Sequence, residues 1–142
     1  MCHNVCHFCL KSDSDKLEKL YERALRSVFL DKDSDYQSLL TRANKTTLYN
    51  HRLQKIATLV YKALNNLAPS YIKDLFLSRN TLYNLRGSHI LTIQKCNTTT
   101  HGLKSIRYLG PKLWNSIKDN IRTSKTLSSF RKQISKVDLA SI

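Results

Sequence analysis

The densest group of chemically reactive side chains in this sequence lies at its N-terminus. The group consists of Cys2, His3, Cys6, His7 and Cys9. Thiolates and imidazoles this close together are ligands that zinc binds in proteins. A structural zinc site needs a second pair of ligands at a suitable distance, but the next cysteine along the chain is Cys96. We therefore predict no bound cofactor and a frayed terminus over residues 1–12, in which the weak metal candidates are Cys2, Cys6, His7 and Cys9.

The same cysteines have the spacing Cys-x3-Cys-x2-Cys, which is also the iron–sulfur motif of radical-SAM enzymes. Those enzymes enclose the cluster in a large partial barrel, and a chain of 142 residues is too short to build one. No other part of the sequence combines a nucleophile with a base, or two carboxylates suited to acid–base work. We therefore predict that the chain is not an enzyme.

Three aspartates alternate along the chain in the manner of a calcium-binding EF-hand loop. They are Asp31, Asp33 and Asp35. The match ends there, because Tyr36 stands where the loop needs glycine and Arg42 stands where it needs a bidentate glutamate. We predict a solvated turn instead, followed by a short helix at about residues 35–41 that Ser34 and Gln37 begin as a capping box.

The sequence carries a net charge of +14, and most of it lies in the C-terminal half. Residues 79–142 contain 12 Lys and Arg against 2 Asp and Glu, whereas residues 1–78 contain 12 against 8. A basic surface favours polyanions, chiefly nucleic acids, because bound phosphates release their counterions. We therefore predict RNA or DNA as the partner.

No apolar run approaches the roughly 20 residues that a membrane span needs. The first residues, MCHNVCHFCLKSD, also lack the apolar core of a signal peptide. We accordingly expect no membrane partner, an intracellular location that is nuclear or cytoplasmic, and cysteines that form no disulfide framework.

Apolar periodicity predicts a mainly α fold, with one small basic domain over residues 13–137 and a frayed tail at 138–142. The clearest helix covers residues 15–30, where Asp15 is a candidate N-cap with Glu18 three residues later. Its apolar stripe comprises Leu17, Leu20, Ala24, Leu25 and Val28. We expect Leu17, Leu20, Leu25 and Val28 to pack on a second helix at 47–65 and, in solution, also to join two copies of the chain weakly.

The segment after residue 79 predicts a change from helix to strand. Residues 89–96 are rich in β-branched side chains, and residues 104–108 are a natural partner strand, so we predict one short β-hairpin at about 89–108. Gly110 and Pro111 would then form a turn into a helix at 112–117, with proline at its first position. Four side chains here are expected to organise the core: Tyr108, Pro111, Leu113 and Trp114. A last helix is capped by Ser124 or Thr126.

Residues 105–116, SIRYLGPKLWNS, resemble the C-terminal region, after the thumb, of non-LTR (LINE, jockey-like) retrotransposon reverse transcriptases. Further segments resemble the same region in the same order: residues 7–9, 16–20, 22–26, 65–72, 74–76, 83–86 and 128–132. Two positions depart from the family, which usually carries Trp where this chain has Cys6 and tends to have Pro where it has Lys118. The resemblance thus spans nearly all of residues 7–136.

The resemblance implies a function without the polymerase reaction. Reverse transcriptases hold two metal ions on converging palm aspartates, and this sequence contains no Asp-Asp pair. We expect a polymerase fragment that contacts RNA or DNA without sequence preference. The candidate contacts are Arg86, Lys95, Lys104, Arg107, Lys112, Arg131 and Lys132. The alternative is an independent small basic protein, recruited by a host cell to bind nucleic acid or another protein.

Overall fold

The computed structural model describes residues 10–78, 90–98 and 102–140. In these residues the prediction of a mainly α fold is confirmed, and the helices are α1 (Lys11–Phe29), α2 (Tyr36–Arg42), α3 (Leu48–Leu64), α4 (Ser70–Lys73), α5 (Ile106–Ser116), α6 (Asp119–Arg122) and α7 (Leu127–Ile134). None of the described helices is long and apolar enough to cross a membrane. The chain divides into two compact units, Met1–Leu53 and Gln54–Ile142. The single domain predicted for residues 13–137 stays a prediction beside this division.

The N-terminal unit is built around three buried leucines. Leu25 of α1 packs with Leu39 and Leu40 of α2, and none of the three is more than 8% exposed. Four partly buried side chains complete this core: Tyr21, Phe29, Tyr36 and Ala43. Burying a leucine contributes about 2 kcal/mol, so this cluster is the main attraction between α1 and α2.

Helix α1 begins earlier than the sequence predicts. Its N-cap is Leu10, whose side chain makes no capping hydrogen bond, so the predicted cap at Asp15 is wrong. Asp13 lies in the first turn instead, where a negative charge interacts favourably with the helix dipole. Residues 11 and 12 are therefore helical, in place of the frayed end predicted over 1–12, and residues 1–9 lie outside the described residues.

The fold divides the apolar stripe predicted on α1. Leu25 joins the core, whereas Leu17, Leu20 and Val28 are 40%, 57% and 73% exposed. The core uses Tyr21 and Phe29 instead, which lie one turn before and one turn after Leu25 on the helix. The expectation that the whole stripe is buried inside the chain is therefore wrong.

Helices α1, α2 and α3 end in the same motif. In each, an N–H two or three residues beyond the helix reaches back five residues to a carbonyl: Asp31 to Arg26 at 3.1 Å, Lys45 to Leu40 at 2.9 Å and Leu67 to Lys62 at 2.8 Å. This Schellman arrangement needs a left-handed residue just past the helix. Here these residues are Leu30, Asn44 and Asn66, with φ of 52°, 52° and 56°.

The C-terminal unit is built around an aromatic cluster of Tyr61 from α3, Trp114 from α5 and Phe130 from α7. The Tyr61 and Phe130 rings stack with centroids 4.4 Å apart, and the Trp114 ring lies 6.4 Å and 6.0 Å from them. The hydroxyl of Tyr61 donates to the carbonyl of Ser124 at 2.6 Å. Of the four predicted core side chains, Pro111, Leu113 and Trp114 are buried and Tyr108 is half-buried.

The C-terminal tail is held against this unit. The side-chain amide of Gln54 donates to the carbonyls of Ser135 at 3.4 Å and Val137 at 3.1 Å. Leu139 is only 1% exposed, so the chain is packed at a position where the sequence predicts fraying. Residues 141–142 lie outside the described residues.

The predicted hairpin at 89–108 is not found in the described residues. Residues 106–108, predicted as its second strand, form the first turn of α5. Leu91 instead makes an isolated antiparallel bridge with Ser78. Helix α5 also runs through Pro111, so the predicted turn at Gly110 and Pro111 is wrong, although proline removes the bond to the carbonyl of Arg107.

Candidate nucleic-acid interface

Six of the seven candidate nucleic-acid contacts lie in the described residues, and all six are exposed. They occupy three segments of the C-terminal unit: Lys95 in residues 90–98, Lys104, Arg107 and Lys112 before and on α5, and Arg131 and Lys132 on α7. Arg86 lies outside the described residues. The structure thus places these six candidates on three segments of one unit.

These cations lack neighbouring carboxylates. Residues 90–140 contain ten Lys and Arg against two Asp. Arg122 is paired with Asp119, whereas no ion pair within the described residues joins the other nine cations to an acid. Those nine are all exposed, so their positive potential is directed to solvent and is not compensated locally.

The N-terminal unit has a different charge arrangement. Residues 10–53 contain nine Lys and Arg against seven Asp and Glu. Three of these cations are in ion pairs: Lys16 with Asp13 at 3.3 Å, Arg26 with Glu22 at 2.8 Å and Arg42 with Asp31 at 3.3 Å. Acids interspersed at this density leave little net field, so the basic surface belongs to the C-terminal unit.

Helix α5 carries Arg107 and Lys112 on a rigid support, and Lys104 lies just before its N-cap. Its buried face carries Leu113 and Trp114, which fixes the orientation of the helix. Its N-cap is Ser105, whose side chain makes no capping bond to the helix and instead donates to the carbonyl of Gly102 at 2.7 Å. Lys104 and Arg107 therefore flank a helix N-terminus, an environment that favours anions.

Helix α7 presents Arg131 and Lys132 in a similar way. The hydroxyl of Thr126 accepts from the N–H of Ser129 at 3.2 Å. Of the two predicted N-caps, Ser124 and Thr126, it is therefore Thr126 that caps the helix. Phe130 and Ile134 are buried on one face. Arg131 and Lys132 follow Phe130 on the chain and are directed to solvent.

Lys95 lies on an extended segment that α5 holds in place. The side-chain amide of Asn115 donates to the carbonyl of Leu91 at 2.9 Å, and its oxygen accepts from the N–H of Leu91 at 2.9 Å. This reciprocal pair substitutes for a neighbouring strand. Sequence analysis did not identify Asn115, because nothing near it in the chain indicates a partner 24 residues away.

Three further exposed cations in residues 90–140 were missed as contacts: Lys118, Lys125 and Lys136. They lie in the connections before α6, before α7 and after α7. The charge count over residues 79–142 includes them, so composition alone was sufficient to find them.

The alternating aspartates lie in a turn that Asp31 holds together. Asp31 accepts from the hydroxyl of Ser34 at 2.6 Å and from the N–H groups of Ser34 and Asp33 at 3.0 and 3.2 Å. The hydrogen bonds from Ser34 are the main reason that the pKa of Asp31 lies below its ordinary value. Asp35, and not the predicted Ser34, caps α2 by accepting from the N–H of Gln37 at 3.1 Å.

Glu18 has a structural role. One of its oxygens accepts from the hydroxyl of Tyr36 at 2.6 Å and from the N–H of Leu48 at 3.0 Å, so it connects α1 to α2 and to the start of α3. Burial, reinforced by this bond to Glu18, raises the pKa of Tyr36 above its ordinary value. A carboxylate that accepts hydrogen bonds from two other elements in this way stabilises their packing.

The described residues contain no group of three or more His, Cys, Asp or Glu side chains able to hold a metal ion. The weak candidates Cys2, Cys6, His7 and Cys9 lie outside the described residues. Cys96 is half-buried, and its thiol donates to the carbonyl of Gln94 at 3.7 Å.

No family model, no curated protein and no solved structure matches this chain.

Proposed function

We propose that this chain is a non-catalytic module that contacts RNA or DNA without sequence preference, as its resemblance to the C-terminal region of retrotransposon reverse transcriptases implies. The observation that carries the proposal is the set of nine exposed cations in residues 90–140 that have no acidic partner in the described residues. Lysines and arginines on packed helices can follow a phosphate backbone without reading bases.

The physics of such an interface gives a measurable property. Each phosphate that a cation neutralises releases counterions, so the logarithm of the association constant falls linearly with the logarithm of salt concentration, by about 0.9 per phosphate on duplex DNA. The helix N-terminus between Lys104 and Arg107 supports the same ligand, because the N-terminal end of a helix favours anions such as phosphate.

The test compares two variants that lose the same charge from different units. The first carries Lys104→Gln, Arg107→Gln and Lys112→Gln, and the control carries Lys19→Gln, Arg23→Gln and Lys45→Gln, which are also exposed and outside the ion pairs. Fluorescence anisotropy with duplex DNA over about 50–200 mM salt measures affinity and salt slope. We expect the first variant to bind more weakly, with a slope smaller by up to about 3, and the control to resemble the unmodified chain. Equal losses in both variants would mean that only total charge matters.

The exposed stripe on α1 favours a second candidate function, protein interaction. Leu17, Leu20 and Val28 are exposed together on one helix face, and exposed apolar patches are typical of association surfaces. We propose weak self-association through these three side chains; Leu25, which is buried in the core, is not part of the surface.

A further inference from the structure

The C-terminal unit contains a cavity of about 460 Å³. Its lining consists of Leu64, Lys73, Asp74, Phe76, Leu77, Ser78 and Leu91. Phe76 and Leu91 are buried and form an apolar floor, whereas Lys73, Asp74 and Ser78 are exposed at the mouth. Sites for small organic molecules typically have about this volume, an apolar lining and a few polar groups at fixed positions.

The walls of this cavity are held by specific contacts. Leu91 is bound on both its N–H and its carbonyl by the amide of Asn115. The N–H of Thr92 donates to the carbonyl of Leu77 at 2.8 Å, which fixes the two extended segments side by side. Phe76 lies so close to Gly110 that a methyl group there would be 2.7 Å from its ring. These contacts hold Leu91, Leu77 and Phe76 of the lining in place.

The polar groups at the mouth complement a flat ring with donor groups on its edge. The ammonium of Lys73 donates to the side chain of Asn66 at 2.8 Å, which holds a positive charge beside the opening. The Asp74 carboxylate next to it only accepts hydrogen bonds. An apolar floor, a carboxylate and a cation together suit a nucleobase with an amino group and its attached phosphate.

We propose that this cavity binds one unpaired base of the nucleic acid strand that the basic surface contacts. Guanine is preferred over uracil because guanine can donate two hydrogen bonds to the Asp74 carboxylate, from its ring N–H and its amino group, whereas uracil can donate only one, from its ring N–H. The proposal rests on the proposed function, since the strand must first be held by the cations. It adds a site that binds one base and prefers guanine to an interface that otherwise contacts only phosphates.

Exposed cations lie on two of the segments that border or hold the cavity. Lys112 lies three residues before Asn115, which places both on one side of α5, and Asn115 is bonded to the cavity wall. Lys95 lies on the same extended segment as Leu91. A strand with one base in the cavity therefore has exposed cations along its path.

The experiment uses the full chain and fluorescent RNA eleven-mers in which every position is abasic except the centre. The centre carries guanine, uracil or no base, so the number of phosphates is the same in all three. We expect guanine to bind at least about five-fold more tightly than the abasic strand, since stacking of one base on a protein typically gives a factor in this range, and uracil to lie between them. Equal binding of all three strands would overturn the cavity proposal.

Three variants locate the effect. Leu77→Trp fills the mouth and should abolish the advantage of guanine, whereas Leu67→Trp, at a residue of equal exposure outside the cavity, should leave it unchanged. Asp74→Asn should bind all strands slightly better, because a negative charge is removed, but should lose the preference for guanine over uracil. Circular dichroism checks that each variant folds.

The outcomes separate the two proposals. If the three strands bind alike but with a steep salt dependence, the cavity proposal fails and the proposed function stands. If none of the strands binds at low salt, both fail. If Leu67→Trp loses the guanine advantage as fully as Leu77→Trp, the base does not enter this cavity.

Discussion

Gly110 sets how closely α5 approaches its neighbours. A Cβ at this position would lie 2.7 Å from the Phe76 ring and 3.2 Å from Val60. Alanine is better than glycine in a helix by about 1 kcal/mol, but overpacking a core costs about 1–3 kcal/mol. Because Phe76 and Val60 are 4% and 0% exposed, neither can move aside. We expect Gly110→Ala to lower the free energy of unfolding by up to about 2 kcal/mol in urea denaturation followed by circular dichroism.

A second variant, Phe76→Leu, tests whether the clash between the new methyl group at position 110 and the Phe76 ring causes the loss of stability. It leaves a cavity when made alone, but in combination with Gly110→Ala it gives the new methyl group room. We expect the double variant to be more stable than the sum of the two single changes predicts. A stabilising Gly110→Ala change would show that helix propensity outweighs packing at this position.

Leu30 is the one large apolar residue among the three left-handed helix ends. It has φ of 52° and is 91% exposed, so it gains little from burial while its Cβ is crowded. The left-handed conformation costs a residue of this kind about 1–2 kcal/mol, and glycine adopts it without this cost. We expect Leu30→Gly to raise thermal stability, measured by circular dichroism.

Ser27→Gly provides the control for that change. Ser27 is exposed inside α1, where glycine should destabilise the helix by somewhat less than about 1 kcal/mol. If both glycine variants lower the melting temperature, the strain at Leu30 does not limit stability.

At the level of elements, helix α1 provides the test of self-association. Leu20 is 57% exposed, so Leu20→Asp should leave the helical content of the monomer unchanged. If the exposed stripe joins two copies, the variant should sediment as a monomer at concentrations at which the unmodified chain associates. Ser12→Asp adds the same charge at an exposed position off the stripe and should not change sedimentation. Loss of helical content in Leu20→Asp would place this residue in the core.

Helix α5 shows why the predicted strand at 104–108 and the predicted turn at Gly110 and Pro111 were wrong. Gly110 and Pro111 normally end a helix, and the β-branched and aromatic residues before them favour a strand. In the structure the glycine is required by Phe76, which is 34 positions away in the sequence. A tertiary contact of this kind overrides local propensity, and no local pattern contains it.

The prediction of which side chains of α1 are buried failed for a related reason. Periodicity identifies an apolar face correctly, but two overlapping faces exist here, and only packing selects Tyr21 and Phe29 over Leu17 and Leu20. By contrast, most of the stripe on α3 was predictable. Leu53, Ile56 and Val60 follow helical period and are buried, although Tyr49 in its first turn is 44% exposed.

At the level of the whole molecule, charge was predictable and site geometry was not. Counting Lys, Arg, Asp and Glu along the sequence separates an N-terminal part, in which acids offset most of the basic residues, from a strongly basic C-terminal part. The exposed side chains agree with that count. The cavity beside Leu91 was not predictable, since its walls come from α3, from the residues that follow α4 and from an extended segment held by Asn115.

The aromatic cluster gives the chain a built-in reporter. Trp114 is its only tryptophan, and it is 2% exposed within reach of Tyr61 and Phe130. Selectively excited tryptophan emission therefore follows the C-terminal unit alone, whereas far-ultraviolet circular dichroism sums over the helices of both units. A step in a melting curve that circular dichroism detects and emission does not is the loss of α1 and α2.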